Sequence, residues 1–314
     1  MNFQNLEYFL AVAREGNITH AAEQLGISQQ ALSNQIARIE DELGCELFNR
    51  KHGFELTLSG KTLAESANRI LDINRQTETV INDINKNKRG ELKIGISHTR
   101  GQAILPLVLP DFQKMYPQVK VSLLEVSTKY LDEHLGKGDI DVMIGFKPFM
   151  LETAETVDLM KEHLFLVAAK EVLEQYWGEN WEKQAEQYKK TLDVKMLAEL
   201  PFVLLNKGER IRNMVDSEFL HADIVPQIIL ETGNMQTSYS LAAAGIGVAI
   251  MPELYLSSPY LISGDETSAH RNKVVILPFT SATTTIAIGY NADRYLSRIA
   301  KDFIKLATEK FASL

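Results

Sequence analysis

The sequence predicts an α/β chain in three parts: an N-terminal winged helix-turn-helix, a long helix, and a larger region of alternating strands and helices. Three observations carry this. Residues 17–36, NITHAAEQLGISQQALSNQI, read as two short helices around a tight turn. Residues 59–87 run without proline, with a glycine only at the start, in a heptad pattern. Beyond residue 90, short apolar strand patterns alternate with helical ones.

The opening stretch MNFQNLEYFLAVAREG reads as an amphipathic helix, with Leu6, Phe9, Leu10 and Ala13 on one face. It contains Glu7 and has neither a basic leader region nor a cleavage site, so it does not read as a signal peptide. In the next helix Ile18, Ala22 and Leu25 share a face. Gly26 follows, where the chain must bend and a positive φ costs least. Ile27 fills the corner, and Ser28 is a good N-cap for the helix after it. Leu32, Ile36, Ile39 and Leu43 form that helix's inward stripe. Its outward face starts with Ser28, Gln29, Gln30, Ser33 and Asn34, and Arg38 lies one turn further on. Short polar side chains that donate and accept hydrogen bonds suit base edges in a major groove. The bland alternative is an ordinary helical hairpin, which has the same stripe, glycine turn and serine cap; context decides between them.

Phe54, Leu56 and Leu58 alternate with Glu55 and Thr57, the mark of a short strand. With Leu47–Phe48 as partner and Lys51–Gly53 as turn, this is a small wing. Arg50, Lys51 and His52 at its tip are placed to meet phosphates or a minor groove. For His52 alone, a solvated turn is the better reading. The candidate DNA-binding set is therefore Ser28, Gln29, Gln30, Ser33, Asn34, Arg38, Arg50 and Lys51.

Net charge is −8, and residues 1–90 carry ten Lys/Arg against twelve Asp/Glu. A nucleic-acid binder ordinarily shows a basic footprint. Few phosphate contacts per subunit are expected here, hence weak non-specific binding and reliance on paired subunits. The long helix supplies the pairing. Leu63, Ala67, Ile70, Asn74, Thr77, Ile81 and Ile84 alternate in steps of four and three, with Ile73 and Val80 widening the seam. Such a helix cannot bury its stripe alone, and Asn74 is a polar interruption of the sort that sets register. A dimer would place two reading helices on one dyad-symmetric duplex.

The polar hinge Asn85–Gly90 precedes the α/β grammar. Strands are expected at 92–96, 119–126, 140–146, 164–169, 202–205, 228–231, 247–250, 274–277 and 284–290, mainly parallel. Helices are expected at 105–116, interrupted by Pro106 and Pro110, and at 130–135, 210–218, 236–244 and 292–312. Residues 173–192 read as an insert with aromatic character from Trp177, Trp181 and Tyr188. It is either an extra amphipathic helix against the second lobe or a partner, or a surface excursion whose aromatics pack locally. Cys45, the only cysteine, excludes an intrachain disulfide and reads as a small packed residue in a reducing, cytoplasmic setting.

Several of these segments together resemble the LysR-type transcriptional regulators: AAEQLGISQQALSNQIARIEDELGCELFNR, TLSG before the long helix, GDIDVMIG at 138–145 and LAAAGIGVAIMP at 241–252. The resemblance covers nearly the whole chain. It implies a winged helix-turn-helix, a dimerising linker helix, a two-lobed effector domain like a periplasmic binding protein, and tetramers built as dimers of dimers. The expected division is 1–58 for the DNA-binding domain and 59–89 for the linker helix. Lobe I then takes 90–160 with 291–314, and lobe II takes 161–290. Gln30 stands where family members commonly have proline, and Asn34 where they have arginine, which removes one phosphate or guanine contact and puts the family's operator preferences in doubt.

In a two-lobed binding fold a ligand sits between the lobes, at strand C-termini and helix N-termini. Ser97, His98, Thr99 and Arg100 follow the first strand and form a good anion receptor. The resemblance places effector contacts at this loop, matching Ser97 and Thr99. Thr128, Phe146 and Lys147 occupy similar strand ends, and Asn206 and Asn234 face the same crevice by strand order. Each serine or threonine taken alone is equally well an N-cap.

Enzyme readings fare badly: no metal-ligand cluster, P-loop, nucleophile elbow or complete dinucleotide fingerprint is present, so no catalytic residue, metal or cofactor is expected. No apolar run approaches the ~18–20 residues that span a bilayer. The expected function is a sequence-specific transcription regulator modulated by a small, anionic effector. Its partners are double-stranded DNA at a dyad-symmetric promoter site, the effector and itself, with RNA polymerase a further candidate. Two alternatives stay open: a transport-type binding protein, against which the N-terminal module speaks, and a repressor with a vestigial cleft.

Overall fold

The computed structural model describes residues 1–49, 54–85, 89–257 and 274–312. The chain forms two compact units, Met1–Asn87 and Lys88–Leu314.

The first unit contains α1 (Phe3–Glu15), α2 (Ile18–Leu25), α3 (Gln29–Leu43), β1 (Phe48–Asn49), β2 (Glu55–Leu56) and α4 (Leu58–Ile84). Each helix begins at a residue whose side-chain oxygen takes an otherwise orphaned amide. Asn2 accepts from the Asn5 N–H at 2.9 Å, Asn17 from Thr19 at 2.8 Å, Ser28 from Ala31 at 3.2 Å and Thr57 from Gly60 at 3.0 Å. The bend between α2 and α3 falls on Gly26, at φ 67°. Phe9, Val12, Ala21, Leu32, Ile36, Ile39 and Phe48 make one buried core. Leu43, expected inward, is 44% exposed, because it lies in the last turn of α3, past the packed part of the stripe. Cys45 is half-buried against this core.

β1 and β2 pair antiparallel, Phe48 with Leu56 and Asn49 with Glu55, which is the expected wing. Its tip, with Arg50, Lys51 and His52, lies outside the described residues. The TLSG segment is explained by close packing. A Cβ at position 60 would overlap the Leu47 carbonyl oxygen, so only glycine lets α4 start beside β1. Along the rest of α4 the predicted seam is largely uncovered, with Ile73, Ile81 and Ile84 exposed at 65%, 51% and 73%.

The second unit is built on one eight-stranded sheet. Its strands are β3 (Arg89–Ile96), β4 (Gln118–Glu125), β5 (Val142–Phe146), β6 (Ala154–Ala169), β7 (Pro201–Leu205), β8 (Gln227–Thr232), β9 (Val248–Pro252) and β10 (Val274–Asn291), in the order β4-β3-β5-β10-β6-β9-β7-β8. Its helices are α5 (His98–Met115), α6 (Thr128–Lys137), α7 (Lys170–Trp177), α8 (Trp181–Thr191), α9 (Arg210–His221), α10 (Met235–Ala243), α11 (Glu253–Ser257) and α12 (Arg298–Ala312).

The expectation of mainly parallel strands needs correction. The outer three strands at each end run parallel to one another, as β4-β3-β5 and β9-β7-β8. Between them β6 and β10 run antiparallel to each other and to β9 and β5. The two patterns read as separate strands at 274–277 and 284–290 are one strand with register irregularities near Pro278–Thr283. β6 also starts ten residues earlier than its apolar pattern, since AETVDLMKEH alternates charged and apolar residues yet pairs throughout with β10. Helix α5 begins at His98 and passes through both prolines. Pro106 and Pro110 lie one turn apart, away from the buried Ile104, Leu105 and Val108, so the backbone bonds they remove are lost towards solvent.

The motifs that carry the family resemblance have plain packing roles. In GDIDVMIG, Gly138 ends α6 in the left-handed region and Asp141 accepts the Lys93 N–H at 2.8 Å, tying β5 to β3. In LAAAGIGVAIMP, a Cβ at Gly247 would collide with the Pro201 carbonyl where β9 meets β7. The aromatic insert forms α7 and α8 and packs on the core of the second unit, so the reading as a helix against the second lobe holds and the one of aromatics packed only locally does not. Tyr188 is buried and donates to the Phe279 carbonyl at 2.6 Å, and Trp177 donates to that of Met196 at 3.3 Å.

Candidate functional site

Two surfaces answer to the predicted sites, one in each unit. On α3 the side chains of Gln29, Gln30, Asn34 and Arg38 are exposed and that of Ser33 is half-buried. Ser28 is exposed too, but its hydroxyl oxygen is engaged as the helix cap. Arg38 lies 3.5 Å from Glu42 on the same helix. The acidic end of α3 has structural duties of its own. Glu40 accepts from the Leu47 amide at 2.8 Å, and Glu42 holds the N-terminal ammonium at 2.7 Å, which keeps its carboxyl below the usual range. The first turns of α3 therefore present amides and an open helix face, with no cluster of cations among the described residues.

The second surface is a cleft of about 640 Å³, counted out to its open mouth, where β3, β7 and β8 end. Ser97, Thr99, Arg100 and Ala103 line it from the start of α5. Leu205, Glu209, Arg210, Ile211, Gly233 and Met235 face them. Glu162 of β6 and Pro252, Leu254 and Tyr255 around the start of α11 complete the wall.

Arg100 is the best-positioned cation. Its guanidinium carbon lies 3.8 Å from the centre of the Phe146 ring, and Nη1 donates to Ser97 Oγ at 3.1 Å. Burial pulls its pKa down to about 10; Glu162 raises it and the like charge of Arg210 lowers it further, and it stays charged at neutral pH. Glu162 is 1% exposed and accepts from the Leu254 N–H at 3.2 Å. Burial pushes its carboxyl up to about 7, against the pull of Arg100 and that amide. Tyr255, on the same cleft wall, is buried, which raises its phenol to about 12. Arg210, at the start of α9, donates to the Lys147 carbonyl at 2.5 Å and to that of Pro148 at 3.4 Å, which joins the two halves of the sheet across the cleft. Arg212, also on α9, holds the Leu205 carbonyl at 2.7 Å and fixes the end of β7.

The structure brings Ser97, Thr99 and Arg100 together and places Phe146 beneath Arg100. Other sequence-nominated residues go elsewhere. His98 is exposed on the outer side of α5, 3.3 Å from Glu125. Lys147 pairs with Asp158 at 2.7 Å. Asn234 caps α10, accepting from Thr237 at 3.1 Å, and Asn206 is exposed after β7 without lining the cleft. Thr128 begins α6, and its side chain lies outside the described residues. Sequence reasoning missed Glu162, Arg210 and Tyr255. Glu162 had one visible signal, an acidic residue just ahead of the apolar run LFLVAA.

Residues 3–61 match the bacterial regulatory helix-turn-helix protein family, lysR family, and residues 85–312 match the LysR substrate binding domain. The transcriptional regulator ClcR of Pseudomonas putida is 33% identical over 257 residues, covering 81% of this chain and 83% of that protein. The regulator YcgK of Bacillus subtilis (strain 168) is 29% identical, covering 98% of this chain and 94% of that protein. Among solved structures, full-length CbnR complexed with its target DNA aligns with a TM-score of 0.66 at 24% identity, covering 99% of this chain and all of that one. OxyR of Pseudomonas aeruginosa aligns at 0.68 and 22% identity, covering 99% of this chain and 94% of that one. At these identities the structural likeness speaks for the fold.

Proposed function

The chain belongs to the LysR family of bacterial transcriptional regulators, and from that premise we propose how its two surfaces work together. It is a DNA-binding regulator with an effector-binding domain, not an enzyme. Reading is assigned to Gln29, Gln30, Ser33 and Asn34 on α3, with Arg50 and Lys51 positioning the wing on phosphates. Two copies of α4 cover the apolar stripe and place paired α3 helices on a dyad-symmetric promoter site, and pairs of dimers make the tetramer. The division into 1–58, 59–89, 90–160 with 291–314, and 161–290 belongs to this reading, as do contact with RNA polymerase and a cytoplasmic setting. No described helix is long and apolar enough to cross a membrane.

The observation that carries the effector half is Arg100, a buried cation at the head of α5 lining a cleft beside Ser97 and Thr99. A small anion binds there, and its differential affinity for two subunit packings shifts the spacing of the DNA modules. Footprinting on the DNA upstream of the regulator's own gene tests this. The protected length and the bend should change on saturating with effector; identical footprints in both conditions would defeat the mechanism.

A further inference from the structure

The walls of the cleft carry charges of both signs. Arg100 and Arg210 are matched by Glu162 and Glu209. Glu162 is the unusual member. It is 1% exposed, lies mid-strand on β6, and the Leu254 N–H is the one hydrogen bond it accepts among the described residues. An ionised carboxylate has room for about four such bonds, and a buried one is costly unless they are made. On the wall of the same cleft, the buried Tyr255 hydroxyl has no hydrogen-bond partner among the described residues. An unmade bond on a buried hydroxyl costs roughly 1–3 kcal/mol, so such a group marks a missing partner. Both groups line the same cleft as Arg100, and come from elements remote in sequence from the Ser97–Arg100 turn.

We propose that the molecule this cleft takes is a small amino carboxylate. Its carboxylate is held by Arg100 with Ser97 and Thr99. Its ammonium is held by Glu162, with Tyr255 alongside, and its apolar body lies against Leu205, Ile211 and Met235. The inference rests on reading the cleft as the effector site and narrows the ligand from an anion to a zwitterion. A simple anion would bind at Arg100 and bring no donor to the Glu162 carboxyl. An ammonium instead brings three donors to an acceptor-only group and returns Glu162 to its ionised form. Leu205, Ile211 and Met235 are buried or nearly so, which favours a side chain of modest apolar size.

The test is isothermal titration calorimetry of the full chain with each of the twenty common L-amino acids. Any that binds is compared with its deamino acid and its decarboxylated amine. Loss of either charge should weaken binding by roughly tenfold to a hundredfold, the range for a hydrogen-bonded charge. Glu162→Gln should weaken the amino acid by at least about tenfold and leave the deamino acid as tight or tighter, an inversion that general damage to the fold would not produce. Circular dichroism checks folding, and Glu162→Asp should restore part of the amino-acid preference if Gln does not fold. If deamino acids bind as tightly as amino acids and Glu162→Gln treats both alike, the cleft remains an anion site and the zwitterion proposal is overturned. If amino acids bind undiminished in Arg100→Ala, they bind elsewhere and the proposal is overturned too. If no amino acid binds, the zwitterion proposal is overturned, while the anionic-effector reading is decided separately by the footprints.

Discussion

The reading face of α3 and the effector cleft hold their polar groups in opposite ways. Gln29, Gln30 and Asn34 stand exposed, and no described residue braces their amides. Arg100 is buried on an aromatic ring, and Glu162 is buried against a backbone amide. The first surface is adaptable, and its side chains lose rotamer freedom only when DNA orders them. The second is set before any ligand arrives, at the cost of keeping charges out of water. A weakly cationic reading face must therefore gain affinity from duplication, while the cleft gains it from pre-placed groups.

The largest effect expected from this contrast is on duplication. Ile73→Asp with Ile81→Asp puts two charges on the exposed stripe of α4. Sedimentation should show loss of self-association, and operator affinity should fall by roughly a hundredfold or more, because the second half-site is no longer intramolecular. Undiminished operator binding by a monomer would break the comparison at its root.

On the cleft side, Arg100→Ala should collapse the ratio of operator affinities measured with and without effector. Effector affinity itself should drop by about thirtyfold, as for a lost charged hydrogen-bonding partner. A ratio that survives the substitution would mean that the pre-placed charge is not what senses the ligand.

The pH dependence sharpens the same point. Glu162 has its pKa raised by burial from an ordinary carboxyl value to about 7, so the folded state binds its proton more tightly than the unfolded chain. Its contribution is fully present below the unfolded value, about 4.5, and is lost as pH rises through about 7. Chemical denaturation between pH 5 and 8 should therefore show stability declining on the order of 2 kcal/mol from this group, with a flatter profile in Glu162→Gln.

The smallest expected effect is on the adaptable surface. Asn34→Ala should reduce discrimination at one base position by about tenfold and leave binding to random DNA nearly unchanged, as competition with single-substituted operators would reveal. A uniform loss across all sequences would make Asn34 a phosphate contact instead.

Much of the first unit was legible in the sequence because its signals are local. Gly26 and Ser28 mark the turn between two helices within three residues, and Leu32, Ile36 and Ile39 show the buried face at helical spacing. Leu43 escaped the pattern because periodicity says which face is apolar, not how far the neighbouring helices extend. In the second unit the Ser97–Arg100 turn was legible as a strand end running into a helix. Asn234, Lys147 and His98 were equally polar and equally near strand or helix ends, yet a helix cap and two carboxylate partners claim them.

The long antiparallel pair of β6 and β10 was hidden for a related reason. Charged residues in AETVDLMKEH and Pro278 in β10 interrupt the apolar pattern, and only pairing between segments more than a hundred residues apart makes each a continuous strand. The sequence by itself determined the turn between α2 and α3, the Ser28 cap, the heptad stripe of α4 and the resemblance to the LysR family, because each is written in residues close together. The tertiary structure alone decided that Arg100, Glu162, Arg210 and Tyr255 share one cleft. They come from α5, β6, α9 and α11, and no pattern along the chain encodes a meeting that the order of strands in the sheet brings about.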